Sequence, residues 1–268
     1  MNGTLAGKRA LVTGGSRGIG RGIVTSLVDA GAEVVFCGRD PRVGAELAAQ
    51  LGKKTLFIAA DIESDDGNDA LAEAALASGP IDILVNNVGG ASDPDAGMRP
   101  FTDIPLQDWP LTFSKCVFGA VRLIQKIAPP MQERGWGRVI NISSTAGLEP
   151  GNSPADYSSA KAALNTMTVA LAGSLARTGV TANVVAPGPI LTESLQAYID
   201  FLANDRGWPE QGAAREARFL TEVMPLKVNR IGRPEDIGAA VAFVASPSAD
   251  YITGAHLRVD GGLSATAI

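Results

Sequence analysis

Short apolar runs alternate with longer amphipathic stretches along almost the whole chain. Strand-like runs fall at 9–13, 33–37, 55–59, 81–85, 137–142, 180–185 and 255–259. Between them, apolar positions recur with the spacing of a helix face at 18–30, 41–51, 64–77, 106–133, 155–175 and 234–245. Punctuation supports these bounds. Pro41 and Pro234 suit the first turn of a helix, while Gly31 and Gly52 suit the position just past a helix end. Ser64 and Asp65 open the third helix, and Pro129-Pro130 should bend or end the long helix at 106–133. Val139-Ile140 puts consecutive apolar side chains on both faces of its strand, as a sheet covered on both sides requires. Strand–helix alternation at this spacing predicts right-handed βαβ units and an α/β fold with a parallel sheet.

One segment breaks the rhythm. From about 190 to 228 no strand–helix unit of ordinary length appears, although Tyr198, Phe201, Trp208, Phe219 and Met224 lie there. An insertion after a strand's carboxyl end reads as a lid or binding loop. The plainer reading is a helical hairpin that only packs or dimerises. Its apolar side chains suggest a moderately apolar substrate. With no linker and no internal repeat, residues 1–268 read as one domain carrying this insertion.

Composition adds exclusions. A net charge of −5 with no basic run argues against a nucleic-acid partner. Cys37 and Cys116 lie in apolar segments without metal-ligand spacing and read as buried free thiols. The single histidine, His256, cannot build a metal site unaided, so no metal is expected. No basic-then-apolar leader opens the chain, and no apolar stretch reaches the roughly 18 residues of a membrane span. The expectation is therefore a cytoplasmic protein with no membrane partner.

The chemistry starts at the first strand. Thr13-Gly14-Gly15-Ser16-Arg17-Gly18-Ile19-Gly20 follows it and opens the first helix. Glycines let backbone approach a ligand, and a helix N-terminus offers unpaired N–H groups to a pyrophosphate. In a strand–loop–helix setting this loop predicts dinucleotide binding. At the end of the second strand an acid would favour NAD, and an arginine accommodates the 2′-phosphate of NADP. Here Gly38 leaves room and Arg39 offers a planar donor, with Arg17 able to face the same phosphate. Asp40 is a counter-signal unless it caps the following helix. NADP(H) is favoured over NAD(H). Farther on, Tyr157 and Lys161 share one helix face. A cation beside a phenol favours the phenolate, so the pair suits acid–base work. Taken alone it is equally an ordinary pair on a helix surface.

Taken together, these residues resemble the short-chain dehydrogenases/reductases, and the resemblance runs almost end to end. Its carriers are the loop at 13–20, Asp61, Asn86-Asn87-Val88-Gly89, Asn141-Ile142-Ser143-Ser144, Tyr157 with Lys161, Pro187-Gly188, the run at 232–236 and Val259-Asp260-Gly261-Gly262. The resemblance implies a Rossmann-type doubly wound parallel sheet of about seven strands with helices on both faces. It implies catalytic roles for Ser144, Tyr157 and Lys161: Ser144 bonding the substrate oxygen, Tyr157 exchanging its proton, and Lys161 assisting Tyr157 while holding the nicotinamide ribose. It further implies cofactor contacts from Gly14, Ser16, Gly18, Ile19 and Gly20 of the loop, and from Asp61 and Ile62 at the adenine. Asn87 and Gly89 would contact the adenosine ribose, and Pro187, Gly188, Ile190 and Thr192 the nicotinamide.

The implied activity is NADP(H)-dependent interconversion of a small-molecule carbonyl and a secondary alcohol, as a ketoreductase for a 3-oxoacyl compound or small ketone. A catabolic alcohol or diol dehydrogenase is the second enzyme reading, and a non-catalytic cofactor-binding regulator or scaffold is the reading of another class. A carrier-protein substrate would call for arginines at the site mouth, with Arg122, Arg134 and Arg177 as candidates. Glu149 and Glu193 are candidates for a polar substrate group. Family members are commonly homotetramers or homodimers through the long helices, which 162–176 would suit. One departure stands out. The family's usual asparagine in the long helix, which holds a water linking the lysine to solvent, falls on Cys116 here. A thiol is a weak donor and acceptor, so the relay is expected to be weaker or routed through Ser114 or another group.

Overall fold

Seven strands pair side by side and all in parallel, in the order β3-β2-β1-β4-β5-β6-β7. They are β1 (Arg9–Val12), β2 (Glu33–Gly38), β3 (Thr55–Ala59), β4 (Ile83–Asn86), β5 (Gly137–Ile142), β6 (Val180–Pro187) and β7 (His256–Val259). The computed structural model describes residues 3–90, 99–151 and 153–265. The chain runs outward from β1 to β3, then returns to lay β4 on the other side of β1. The ligand crevice of a doubly wound sheet opens at such a reversal, beyond the carboxyl ends of the strands.

Strand side chains alternate between two cores. Ala10, Val12, Val34, Phe36, Ile83, Val85, Ile140 and Ile142 point to one face, where α1 (Gly18–Asp29) and α9 (Pro234–Ala245) supply Ile23, Leu27, Ile237 and Val241. Leu11, Val35, Leu84 and Val139 point to the other face. There α3 (Asp65–Ala77), α5 (Gly119–Glu133) and α6 (Ala155–Ser174) bring Leu71, Leu123, Ile127, Met131 and Leu171. Each fully buried aliphatic side chain contributes about 1.5–3 kcal/mol of transfer free energy. α1 and α9 touch through small residues: a Cβ on Gly22 would lie 2.4 Å from the Pro234 carbonyl carbon, and one on Gly238 2.2 Å from Ser26 Oγ.

Local sequence explains the helix ends. Asp40 caps α2 (Pro41–Leu51) by accepting from Arg42 N and Val43 N at 3.1 and 3.2 Å. Ser64 caps α3 by accepting from Gly67 N at 3.1 Å. The long stretch at 106–133 is not one helix. It divides into α4 (Asp108–Phe113), a turn of π-helix at Ser114–Phe118 and α5. Pro129 and Pro130 do not end α5, which continues to Glu133. Burial of Ile127, Ala128 and Met131 holds the last turn in place against the two lost backbone bonds. The fourth strand is shifted toward its carboxyl end relative to 81–85, and the sixth extends to Pro187.

The segment at 190–228 holds two helices, α7 (Glu193–Asp205) and α8 (Gly212–Glu222), with a core of their own. Ile199, Leu202, Trp208, Phe219 and Leu220 are buried in it. Most of the apolar side chains that suggested an apolar substrate are therefore used in holding the two helices together. Tyr198 and Phe201 remain exposed.

Candidate active site

The glycine loop between β1 and α1 forms one wall of a cleft of 420 Å³. Its other lining includes Cys37, Gly38, Arg39, Asp40, Asp61 and Ile62. The loop is built for close approach. Gly14 has φ +62°, and a Cβ on Gly20 would lie 2.0 Å from the Gly14 carbonyl oxygen. A Cβ on Gly38 would lie 2.5 Å from Ser16 Oγ, inside the space that the second strand leaves open. The N-cap of α1, Arg17, makes no side-chain capping bond, so the first-turn amides of α1 face the cleft without one. These are the features a dinucleotide pyrophosphate requires, and the residues fit that group.

Asn87 braces this wall. Its Nδ2 donates to Thr13 O at 2.9 Å and to Gly14 O at 3.3 Å, while the Asn87 and Val88 amides donate to Thr13 Oγ1. Its amide is thus turned toward the loop backbone. Asp61 accepts from Glu63 N at 3.0 Å and shapes the turn after β3. Asp40 is spoken for by the α2 cap and by Arg17, whose Nη2 is 3.0 Å away. The Val43 amide first, and then Arg17, hold its carboxyl below the usual carboxylate range. Burial pushes the Cys37 thiol up to about 11, so it stays protonated and inert at neutral pH.

At the other end of the cleft, Lys161 is 2% exposed. Its Nζ donates to Ile142 O at 2.8 Å and lies 5.8 Å from the centre of the Tyr157 ring. Ser143 Oγ donates to Lys161 O at 3.3 Å, tying the same turn of α6 to the end of β5. A Cβ on Gly147 would lie 2.8 Å from the Lys161 carbonyl carbon, so this approach of loop to helix needs glycine. Ser144, one residue beyond Ser143, caps the 3-10 turn at Thr145–Gly147, its Oγ accepting from Ala146 N at 3.1 Å. Asp156 bonds Thr112, which fastens the first turn of α6 to α4. Behind the site a buried polar ladder crosses the sheet: Asn86 Nδ2 to Asn141 Oδ1 and Asn141 Nδ2 to Thr168 Oγ1, both 2.8 Å. β4, β5 and α6 are thereby locked in register.

Cys116 sits in the π-turn, 1% exposed, with its Sγ 3.5 Å from both Gly90 N and Gly90 O. The thiol meets the strand-end loop at 89–90. A Cβ on Gly89 would lie 2.6 Å from Lys161 Nζ and 3.6 Å from Cys116 Sγ. Pro187 ends β6, and Gly188 packs so closely that a Cβ would lie 2.7 Å from Asp260 Cα. Ile190 pairs with Gly232 in an isolated parallel bridge, and Thr192 caps α7 while resting against Gly18.

Other candidates lie elsewhere. Arg122 pairs with Asp65, and Arg134 donates to Ile81 O and pairs with Asp82 near the amino end of β4. Arg177 has φ +65° and lies before β6, at the amino end of the sheet. None of the three stands at the site mouth. Glu193 pairs with Arg17 at 3.4 Å, and Glu149 accepts from Ala265 N at 3.3 Å. Burial lowers the His256 imidazole below its ordinary range, and both of its ring nitrogens are buried without partners. Asn152 lies outside the described residues. Among the described residues no cluster of three or more potential metal ligands occurs, and no helix is long and apolar enough to cross a membrane. Two residues of the nucleotide cleft, Glu63 and Lys115, carried no recognisable sequence signal. They come from loops about fifty residues apart.

This fold and its cleft define the class, a Rossmann-type oxidoreductase that works with a nicotinamide dinucleotide. The chain belongs to the short chain dehydrogenase family, whose model matches residues 8–201. It is 38% identical over 269 residues to the oxidoreductase YvaG of Bacillus subtilis (strain 168), covering 97% of each chain. It is 34% identical over 260 residues to a 3-oxoacyl-(acyl-carrier-protein) reductase of Vibrio cholerae, covering 97% of this chain and 98% of that one. The structure of L-sorbose reductase from Gluconobacter frateurii, complexed with NADPH and L-sorbose, superposes with a TM-score of 0.90 at 29% identity over the whole of both chains.

Proposed function

We propose that the protein is an NADP(H)-dependent ketoreductase that interconverts a small-molecule ketone and a secondary alcohol. The observation that carries this reading is the buried Lys161 ammonium, held by Ile142 O beside the Tyr157 ring and directly behind Gly89, which lines the nucleotide cleft. The bound cofactor supplies the hydride. Tyr157 donates its phenolic proton to the substrate oxygen in reduction and accepts it in oxidation. Ser144 Oγ hydrogen-bonds the same oxygen, and paired donors there stabilise the charge that develops on it. Lys161 sets its ammonium beside the Tyr157 ring and hydrogen-bonds the nicotinamide ribose. Pro187, Gly188, Ile190 and Thr192 cover the nicotinamide. Gly14, Ser16, Gly18, Ile19 and Gly20 take the pyrophosphate side, with Asp61, Ile62, Asn87 and Gly89 around the adenosine. Arg39 and Arg17 read the 2′-phosphate. Among the relatives, one is a 3-oxoacyl reductase and one acts with NADPH on a ketose, so a 3-oxoacyl compound or a small ketone is the substrate class. Exposed Leu111, Phe118 and Val169 on α4, the π-turn and α6 suit a homotetramer or homodimer.

The test is cofactor consumption, followed by its near-ultraviolet absorbance, against a panel of 3-oxoacyl thioesters, ketoses and simple ketones. NADPH should be consumed faster than NADH, and Arg39→Ala should raise the Michaelis constant for NADPH far more than for NADH. Equal effects on both cofactors would sink the NADP(H) assignment. Absence of turnover in either direction across the panel would favour a cofactor-binding regulator.

A further inference from the structure

At the mouth of the nucleotide cleft, side chains from two strand-end loops and the π-turn meet at a single atom. Glu63 Oε1 is 3.5 Å from Arg39 Nη1 and 3.5 Å from Lys115 Nζ. The two cations are therefore within about 7 Å of one another, close enough to act on the same anion. Arg39 follows β2, Glu63 follows β3 and Lys115 lies in the π-turn, so the cluster spans the cleft from one rim to the other. Its members differ in freedom. The Arg39 side chain is 70% exposed, that of Glu63 34% and that of Lys115 18%. Arg39 is the exposed partner, and Lys115 is the largely covered one.

The Glu63 carboxylate has no duty in the local fold. Ser64 caps α3, and the turn after β3 is held by Asp61 accepting from the Glu63 backbone amide. Asp40, the other acid at this rim, differs in this respect because its carboxylate caps α2. Glu63 is an anionic oxygen held between two cations where nothing in the fold requires one.

We propose that Glu63 and Lys115 tune the cofactor specificity of this chain: the Glu63 carboxylate occupies, between Arg39 and Lys115, the place of a 2′-phosphate oxygen, and Lys115 is a further cation, beside Arg39 and Arg17, that reads that phosphate. This rests on the NADP(H) reading above. A nucleotide bearing the phosphate takes Arg39 from Glu63 by offering more negative charge in return. A nucleotide without it gives Arg39 nothing in exchange. Lys115 offsets the Glu63 charge that remains beside the phosphate, so the two side chains act on phosphate binding with opposite sign.

Calorimetric titration of the full chain with adenosine 2′,5′-bisphosphate and with adenosine 5′-monophosphate separates these effects from turnover. Glu63→Gln should tighten the bisphosphate about twofold to fivefold, a range set by partly exposed charges, while the monophosphate stays within about 1.5-fold. Lys115→Gln should weaken the bisphosphate by a similar factor, and the double variant should fall between. Both shifts should shrink as salt rises. Thermal melting confirms that each variant is folded, as replacement of these rim side chains should allow. The inference is overturned if Glu63→Gln leaves the bisphosphate affinity unchanged, or if either substitution moves both nucleotides equally. Should the wild-type chain bind the two nucleotides equally, the NADP(H) reading and this inference fail together. A preference for the bisphosphate that neither substitution changes removes only the inference.

Discussion

Gly89→Ala tests how the reacting end of the cleft is held. Gly89 lies outside the left-handed backbone region, so alanine is tolerated there by the main chain. The new methyl would stand 2.6 Å from Lys161 Nζ and 3.2 Å from its Cε. A carbon–nitrogen contact relaxes to about 3.5 Å, so the ammonium must retreat by about 0.9 Å. A retreat of that size lengthens the 2.8 Å bond to Ile142 O by up to about 0.9 Å, past the limit of a hydrogen bond. Losing a buried bond from a charged donor costs about 1.5–3 kcal/mol, which at this chain length lowers Tm by about 3–10 °C. Misplacing a catalytic group by about 1 Å costs on the order of a hundredfold in rate. The expected result is a kcat about a hundredfold lower at saturating cofactor, with a modestly reduced Tm. The control is the same substitution in a Lys161→Ala background. There both atoms that crowd the methyl are gone, the next being Cys116 Sγ at an ordinary 3.6 Å, and its cost to Tm should vanish. A kcat within about threefold of wild type, or the same loss of Tm in both backgrounds, would refute the reasoning.

Three further outcomes follow from the same geometry. Cys116→Asn replaces a weak thiol partner of Gly90 by an amide that can donate to its carbonyl and accept from its N–H. It should raise turnover with cofactor affinity unchanged, and an unchanged or lower kcat would show that no relay is missing. Gly44→Ala in α2 puts a methyl 2.1–2.3 Å from the Phe57 ring, which is itself packed against Phe36 at 5.4 Å. Overpacking should outweigh the gain of about 1 kcal/mol in helix propensity, leaving a net loss of about 1–2 kcal/mol in chemical denaturation. A stabilised variant would mean that Phe57 swings aside freely. The paired hydrogen bonds from Arg230 hold the Asp236 carboxyl below the usual carboxylate range, so its contribution is present at neutral pH and is lost as pH falls through the folded-state value. Asp236→Asn should therefore lower Tm at pH 7 and not at strongly acid pH, and a Tm gap that stays constant with pH would exclude this pair as its source.

Much of the frame was legible because its signals are local. Apolar residues on both faces of Ala10-Leu11-Val12 imply a strand covered on both sides, and Ala10 and Val12 do enter one core while Leu11 enters the other. Asp40 and Ser64 announce the starts of α2 and α3 through a side-chain oxygen just before the first turn. What escaped has no local signature. A π-turn adds one residue to a helical turn without requiring any residue type, so Ser114–Phe118 looks like ordinary helix in the sequence. Pro129 and Pro130 mark a break that tertiary packing overrides, with Met131 wholly buried beyond them. The apolar residues at 198–224 suggest a binding surface, but most of them, Leu202, Trp208, Phe219, Leu220 and Met224, serve a small core within the insertion, while Tyr198 and Phe201 stay exposed.

The residues proposed to react and the atoms that hold them are legible to different degrees, for a physical reason. Helical spacing puts Tyr157 and Lys161 on one face, and the motifs around them, the glycine loop and Ser144 among them, single the pair out, since each carries a functional group. The groups that place Lys161 are Ile142 O and the bare Cα of Gly89, one a backbone carbonyl and the other a missing side chain. Neither adds a functional side chain to the sequence. The same holds for the nucleotide end, where the shape comes from a Gly14 carbonyl and absent Cβ atoms at Gly20 and Gly38. A buried ammonium needs its partners to be fixed, because removing one leaves an uncompensated charge. The frame around Lys161 is therefore less tolerant of an added methyl group than its plain residue types suggest, and Gly89 is the position where that intolerance is most directly measured.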